Sequence, residues 1–464
     1  MSRDRLWTDK SASRATGGRT TMPFEADGVA FDSREVSESD LFVALPGSVT
    51  DGHRHVGHAF ENGAAAAMVN HKPAGVPVAS PLLLVVNTFQ GLEDLARTAR
   101  QRSSARIAAV TGSVGKTGTK DMLHRVLAHQ GLAHASDRSY NNQVGTPLSL
   151  ARMPQATDYG VFEIGTNAPG EIRPLACLVR PHVALVTTIE PVHIGNFDSE
   201  DALVEEKAAV FDGLDGDGVA IINADNRHAA VLEDHAARRG VTIMRFGTSQ
   251  RAEFRLVRWT PVATGSRVRV AVADTEFDYD LSLHGHHLAL NSVAVLAAVE
   301  ALGGDIGEAA ASLAAILPLP GRGARRTVSL PGGRAVVIDE SYNASPVAVR
   351  AALDVLARTP TDPGGRRIAV LGDMAELGDD AAVHHAGLAE LAGAVADRVF
   401  TVGPLMDHLM DALPLACRGG SACDSQTMAT LLADCLRPGD VVLVKGSRRM
   451  GLESVVETLA GRGG

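Results

Sequence analysis

Long apolar runs are missing from this chain of 464 residues. Its apolar stretches, such as Pro81–Val86, fall far short of the roughly 20 residues that span a bilayer. No helical membrane span is therefore expected. Cysteine is scarce: Cys177, Cys417, Cys423 and Cys435 show no C-x-x-C spacing, which argues against a disulfide scaffold or a structural zinc site. An excess of positive charge is also absent. Lys and Arg number 44 against 54 Asp and Glu, a formal net charge of −10. That balance argues against a surface built broadly for nucleic acid or anionic lipid, and still allows a local basic pocket. The opening MSRDRLWTDKSASRATGG has no apolar signal core, so a cytoplasmic location is expected. Internal repeats and low-complexity segments are absent too. With 45% hydrophobic and 21% charged residues, wholesale disorder is excluded. At roughly 150 residues per domain, the length suggests about three domains.

What is present is a recurring strand–loop–helix order. In the first hundred residues, DLFVAL (Asp40–Leu45) and AAAAMVN (Ala64–Asn70) read as buried strands with a helix between them. FQGLEDLARTARQRS (Phe89–Ser103) has helical spacing, and Thr8 predicts the N-cap of a short opening helix that ends at Gly17–Gly18. From Arg106 onwards, ARIAAVTG, YGVFEIG, PHVALVTTI and GVAIINAD are almost continuously apolar, as parallel strands buried on both faces should be. Residues 252–283 change to a hairpin-like alternation, and HGHHLALNSVAVLAAVEALG (His284–Gly303) reads as an apolar helix. PLPGRGARR (Pro318–Arg326) is a linker rich in Pro, Gly and Arg. Beyond it, AVVIDE, RIAVLGD, RVFTVG and DVVLVKG alternate with helices, the pattern of a doubly wound sheet. The predicted fold is α/β in three domains, 1–103, 104–317 and 318–464.

The sharpest chemical feature is TGSVGKT (Thr111–Thr117), set between the strand RIAAV and a helix starting near Thr119. A Gly-rich turn there aims backbone N–H groups and the positive end of a helix at phosphates. Lys116 would add a point charge and the Thr117 hydroxyl a Mg²⁺ ligand. Val110 stands at the first glycine position of G-x-x-x-x-G-K-[ST], so a chance GKT in a Gly-rich chain is the competing explanation. Glu163 ends the strand YGVFEIG, His193 follows PHVALVTTI, and Lys207 lies on a helix beginning near Ser199. Ends of parallel strands are where such sheets place ligands. Taken alone, His193 reads as a satisfied loop histidine and Lys207 as a solvated charge beside Glu205 and Glu206. DESYNASP (Asp339–Pro346), LGDMAELG (Leu371–Gly378) and KGSR (Lys445–Arg448) also end strands, and each alone is an ordinary polar loop.

Together, and in this order, these segments resemble one family over nearly the whole chain: the Mur ligases, ATP-dependent amide-bond ligases of peptidoglycan synthesis. Asp32-Ser-Arg34 with DLFVALPG and DGH (Asp51–His53) is similar to that family's UDP-sugar-binding domain. TGSVGKT resembles its ATP loop, GHHLALN (Gly285–Asn291) and GRGARR its adenine-side segments, and the last domain its mobile, Rossmann-like C-terminal module. SYNNQVGTPLSL (Ser139–Leu150), EIGTNAPGEI (Glu163–Ile172), DESYNASP, LGDMAELG with His385 downstream, and KGSRRMGLE resemble the branch that adds D-alanyl-D-alanine. The DNPR-type motif of the diamino-acid-adding branch is missing.

The resemblance implies ATP and Mg²⁺, with Gly112, Ser113, Val114, Gly115, Lys116 and Thr117 around the phosphates. It puts Thr117 and Glu163 on one Mg²⁺, His193 on a second, and makes Lys207 a lysine carbamylated by CO₂ that shares in metal coordination. Lys116, Glu163, His193 and Lys207 form the implied catalytic set. Asn291 and Arg322 would contact the nucleotide from the central domain, and Asp339, Tyr342 and Asn343 on closure of the last domain. Ser33 and Arg34 would lie along the UDP moiety, and Asn142 on the substrate. The implied partners are small molecules only (ATP, UDP-N-acetylmuramoyl-tripeptide and D-alanyl-D-alanine), and a monomer is expected. Three positions depart from the family pattern: Gly118 for Ser or Thr, Glu340 for a frequent Asp, and Ser345 for the usual Asn. The alternatives are another ligase of the superfamily, diamino-acid-adding or folylpolyglutamate-synthase-like, or a non-catalytic nucleotide-binding regulator. Intact Lys116, Glu163, His193 and Lys207 speak against the regulator.

Overall fold

The computed structural model describes residues 5–47, 50–137, 139–191 and 194–461. His193 therefore lies outside the described residues.

Three α/β layers follow one another along the chain. The first is a five-stranded sheet ordered Arg19–Thr20, Leu82–Leu84, Ala66–Val69, Asp40–Val43 and Gly28–Ala30, its last four strands parallel. Thr8 caps the opening helix Asp9–Thr16 and Gly17 closes it in the left-handed conformation, as its lack of a Cβ allows.

The second sheet has nine strands. Its parallel part runs Phe254–Val262, Thr242–Gly247, Val219–Asn223, Val183–Val186, Arg106–Thr111, Tyr159–Glu163 and Ala133–Ala135. The hairpin-like stretch extends this same sheet, adding Gly265–Val272 and Thr275–Leu281 antiparallel at one edge. The apolar helix His286–Ala301 is buried against one face, and Ile172–Val179 packs on the other. After Arg106–Thr111 the chain builds first to one side of that strand and then to the other. The carboxyl end of Arg106–Thr111 is thus a topological switch point, where open α/β sheets bind ligands.

The third sheet is ordered Ala324–Leu330, Gly333–Glu340, Val441–Lys445, Arg367–Gly372, Arg398–Val402 and Arg418–Ala422, all parallel except the first. The linker is shorter than its composition suggested. Ala324, Arg325 and Arg326 already pair with the strand Gly333–Glu340.

The seams between layers differ in character. The long helix Thr88–Arg102 packs on Gly145–Ala151, the Trp7 indole donates to the Ala151 carbonyl at 2.9 Å, and the Arg102 guanidinium lies 4.3 Å over the Trp7 ring. Against the last layer the central one offers smaller contacts. Arg358 lies 5.2 Å from the Trp259 ring centroid, and a Cβ on Gly195 would sit 3.4 Å from the Gly378 Cα.

Candidate active site

The loop after Arg106–Thr111 is shaped by two glycines that no other residue could replace. Gly112 has φ +141, and a Cβ there would meet the Thr187 hydroxyl at 2.0 Å. At Gly115, φ +84, a Cβ would meet the Asn291 amide at 2.8 Å. Val110 explains the missing first glycine. It is a fully buried strand residue in register with Glu163 and Leu185, so the turn begins two residues later, at Gly112. The Ser113 hydroxyl donates to the Glu190 carbonyl at 2.8 Å, and Thr187 donates to the Val114 carbonyl at 2.7 Å. The helix Lys116–Ala128 starts directly behind, with its unpaired N–H groups at the loop.

A cavity of about 510 Å³ opens in front of this loop. Ser113, Val114, Gly115, Lys116, Thr117, Asn142, Glu163, Asn291, Arg322, Tyr342 and Asn343 all line it, drawn from the central and last layers. Lys116 folds back to donate to the Gly112 and Ser113 carbonyls at 2.9 and 3.3 Å. Burial lowers its pKa and Glu163 opposes that shift. Glu163, 1% exposed, accepts from the Asn141 amide at 2.6 Å through Oε1, while its buried Oε2 has no partner. An unpartnered carboxylate oxygen at the mouth of a phosphate loop fits a hard divalent cation. Among the described residues no group of three His, Cys, Asp or Glu gathers as a metal cluster.

Lys207 is not the solvated lysine its neighbours suggested. It is 3% exposed and donates to the Gly112 carbonyl at 3.3 Å. Burial, reinforced by the Lys116 charge and opposed by Glu206, pushes its pKa down to about 7. Glu206 is engaged elsewhere, accepting from the Gly170 and Ile172 N–H groups at 2.7 Å each and so capping the helix Ile172–Val179.

Other sequence-derived residues stand away from the cavity wall. Asp339 spends its carboxylate on the Ser341 N–H and hydroxyl and on the Gly321 N–H, tying the linker to the DESYNASP turn. Ser33 is buried against His58, 3.0 Å away. Arg34, with its side chain 81% exposed, pairs with Asp32 and holds that carboxyl down at about pKa 2. Neither Ser33 nor Arg34 lines the cavity. Asn142 does, although its carbonyl oxygen is spent on the Val144 and Gly145 N–H groups.

The departures are absorbed locally. A Cβ on Gly118 would meet nothing within 4 Å. Ser345 caps the helix Pro346–Arg358 through the Ala348 N–H, as Asn would. Glu340 reaches Lys445 Nζ at 3.2 Å. His385 accepts from the Met374 N–H through Nε2 and donates through Nδ1 to the Ala381 carbonyl, so it is neutral and bolts the LGDMAELG loop in place. Asn141, Lys445 and Ser139 lie in segments that the sequence singled out, but none had an individual role there. Their signals were the adjacent Asn in SYNN and the strand-ending KGS.

A phosphate loop whose cavity is walled by a second, doubly wound sheet defines a multi-domain, nucleotide-handling α/β protein. Comparison with known proteins narrows that class. The Mur ligase middle domain matches residues 110–299, the Mur ligase glutamate ligase domain residues 325–448, and the Mur ligase family catalytic domain residues 25–100. The UDP-N-acetylmuramoyl-tripeptide–D-alanyl-D-alanine ligase of Rickettsia prowazekii is 31% identical over 97% of this chain and 99% of its own. A crystal structure of MurF from Acinetobacter baumannii superposes with a TM-score of 0.86 at 26% identity, covering 98% of this chain and 99% of that one. MurF ligase from Thermotoga maritima, in complex with ADP, gives 0.78 at 27% identity over 94% and 97% of the two chains. The chain belongs to the Mur ligase family.

Proposed function

We propose that this protein is the ATP-dependent ligase that adds D-alanyl-D-alanine to UDP-N-acetylmuramoyl-tripeptide. The observation that carries the reading is the shared cavity, with Lys116, Thr117 and the free oxygen of Glu163 on one side and Tyr342, Asn343 and Lys445 on the other; Lys207 is buried behind the loop, on the Gly112 carbonyl, and does not line the cavity. The division of labour follows the three layers, with 1–103 binding the UDP substrate, 104–317 the ATP, and 318–464 closing over both and bringing D-alanyl-D-alanine.

In the first step the substrate's terminal carboxylate oxygen attacks the γ-phosphorus of ATP, and ADP leaves. Both reactants are anions, so Lys116 and the loop N–H groups must offset the charge that gathers between them. In the second step the amine of D-alanyl-D-alanine attacks the acyl carbon, loses its proton, and inorganic phosphate departs. Thr117 and Glu163 would hold Mg²⁺, and Lys207, as a carbamate, would add a further anionic ligand; bound there, the metal supplies charge neutralisation at the phosphates. His193 is assigned to a second metal by resemblance alone. Acyl phosphates hydrolyse readily, so the wall formed by Tyr342, Asn343 and Lys445 serves to keep water out. No helix among the described residues is long and apolar enough to cross a membrane, in keeping with small, water-borne substrates.

The test is direct. Incubation with ATP, Mg²⁺, UDP-N-acetylmuramoyl-tripeptide and D-alanyl-D-alanine should yield a product heavier by one dipeptide less water in mass spectra. Phosphate release that ignores D-alanyl-D-alanine would overturn the reading.

A further inference from the structure

The consecutive side chains of Ser139, Tyr140 and Asn141 reach three different places. The Ser139 hydroxyl lies 2.7 Å from the Tyr342 hydroxyl of the last layer. The Tyr140 hydroxyl donates to Glu35 Oε2 of the first layer at 2.9 Å, while its ring meets Phe31 edge-on at 5.9 Å. Asn141 donates its amide to Glu163 Oε1 at 2.6 Å. Nowhere else among the interactions described above do all three layers meet within three residues.

The segment is held against a hard floor. A Cβ on Gly145 would meet the Tyr140 backbone at 2.6 Å, and one on Gly165 would meet the Asn141 side chain at 2.7 Å. The Gly165 N–H donates to the Asn141 carbonyl at 2.8 Å. With so little slack, a push on Tyr140 cannot be absorbed locally. It has to be passed to Asn141, which fixes which Glu163 oxygen stays free, and to Ser139, which meets the last domain through Tyr342. Tyr342 is itself held under Arg322 and Arg448, whose guanidinium carbons lie 4.0 and 5.0 Å from its ring centroid.

We propose that Ser139, Tyr140 and Asn141 are positioning residues that couple the first domain's hold on its UDP substrate to the nucleotide site and to closure of the last domain. The inference rests on the ligase reading above. Glu35 follows directly on Asp32–Arg34, so a ligand seated along that turn would lie next to the carboxylate that Tyr140 grips. ATP would then be bound in its reactive form chiefly when the acceptor carboxylate is present, which limits wasteful hydrolysis.

Binding of a non-hydrolysable ATP analogue with Mg²⁺, measured by calorimetry with and without saturating UDP-N-acetylmuramoyl-tripeptide, gives the coupling factor. In the wild-type protein the UDP substrate should tighten analogue binding by about tenfold, the range typical of linked sites. Tyr140→Phe keeps the ring against Phe31 and removes only the hydroxyl. It should bring the factor to within about twofold of unity while leaving the analogue's affinity alone unchanged. Glu35→Ala should do the same, and the double variant should lose nothing more. Wild-type-like coupling in folded Tyr140→Phe, or additive losses in the double variant, would overturn the proposal, and so would a wild-type factor near one. Failure of wild-type protein to bind the UDP substrate at all would instead overturn the ligase reading, and this inference with it.

Discussion

Lys207 and Lys116 share one carbonyl, that of Gly112, and two ammonium groups so placed cannot both keep their ordinary proton affinity. With its pKa pushed from 10.5 to about 7, Lys207 is largely neutral above pH 7. Only the neutral amine can attack CO₂. Activity restored to CO₂-stripped enzyme by bicarbonate should therefore rise with pH through 7 and be small at pH 6. The same shift has a stability consequence. Between about pH 7 and 10.5 the unfolded chain binds more protons at this site than the folded one, so Lys207's contribution to stability improves as pH rises across that window. Lys207→Ala should lose most activity, and formate or acetate should partly restore it by filling the vacated space with an anion. Near-wild-type turnover in Lys207→Ala would refute the carbamate. Lys116→Ala should cost at least roughly 10²–10³-fold in turnover. Its melting temperature should hold, because among the described residues the ammonium donates hydrogen bonds to two carbonyls of its own loop and to no other layer. Phosphate-release assays paired with thermal melts distinguish loss of function from loss of fold.

At the scale of elements, what could be read in advance was whatever carried a long apolar run. The central strands and the helix His286–Ala301 were legible because each is buried along most of its length. Ala133–Ala135 and Arg418–Ala422 were not. AHA and RGGSA have no apolar run, and they are strands because Tyr159–Glu163 and Arg398–Val402 offer them an edge to pair with. Ala381–Ala386 and Ala389–Val395 are two short helices, divided at Gly387 and Leu388, a break that the helical spacing of the segment does not announce. In the site, the phosphate loop was legible from its glycines. The burial of Lys207 was not, because the acidic neighbour that seemed to solvate it caps another helix. Ser345 allows an element-scale test. Its hydroxyl caps Pro346–Arg358 across 3.4 Å, a long hydrogen bond, and Pro346 already favours the first turn. Ser345→Ala should therefore destabilise by about 0.5–1 kcal/mol, near the low end for N-caps, and Ser345→Asn should restore it. Chemical denaturation of both variants checks this.

At the scale of the whole molecule, the two seams predict which part moves. The first layer is bolted to the second through Trp7, Arg102 and the packing of Thr88–Arg102 on Gly145–Ala151. The last layer hangs on the segment before Ala324, where Gly321 and Gly323 take φ of +70 and +90. Small-angle scattering with ATP analogue and UDP-N-acetylmuramoyl-tripeptide should show compaction toward the arrangement described here. Identical profiles with and without ligands would refute a swing on Pro318–Gly323.

The chain has two tryptophans, and they fall on different seams. Trp7 is sealed between the first two layers with its indole N–H spent on Ala151, whereas Trp259 faces Arg358 of the layer expected to swing. A cation close to an indole face alters its emission, and Arg358 would leave that face on the swing predicted for the last layer. On that swing the protein would contain its own optical gauge: a constant signal from Trp7, and a second from Trp259 that follows the approach of Arg358 without any attached dye.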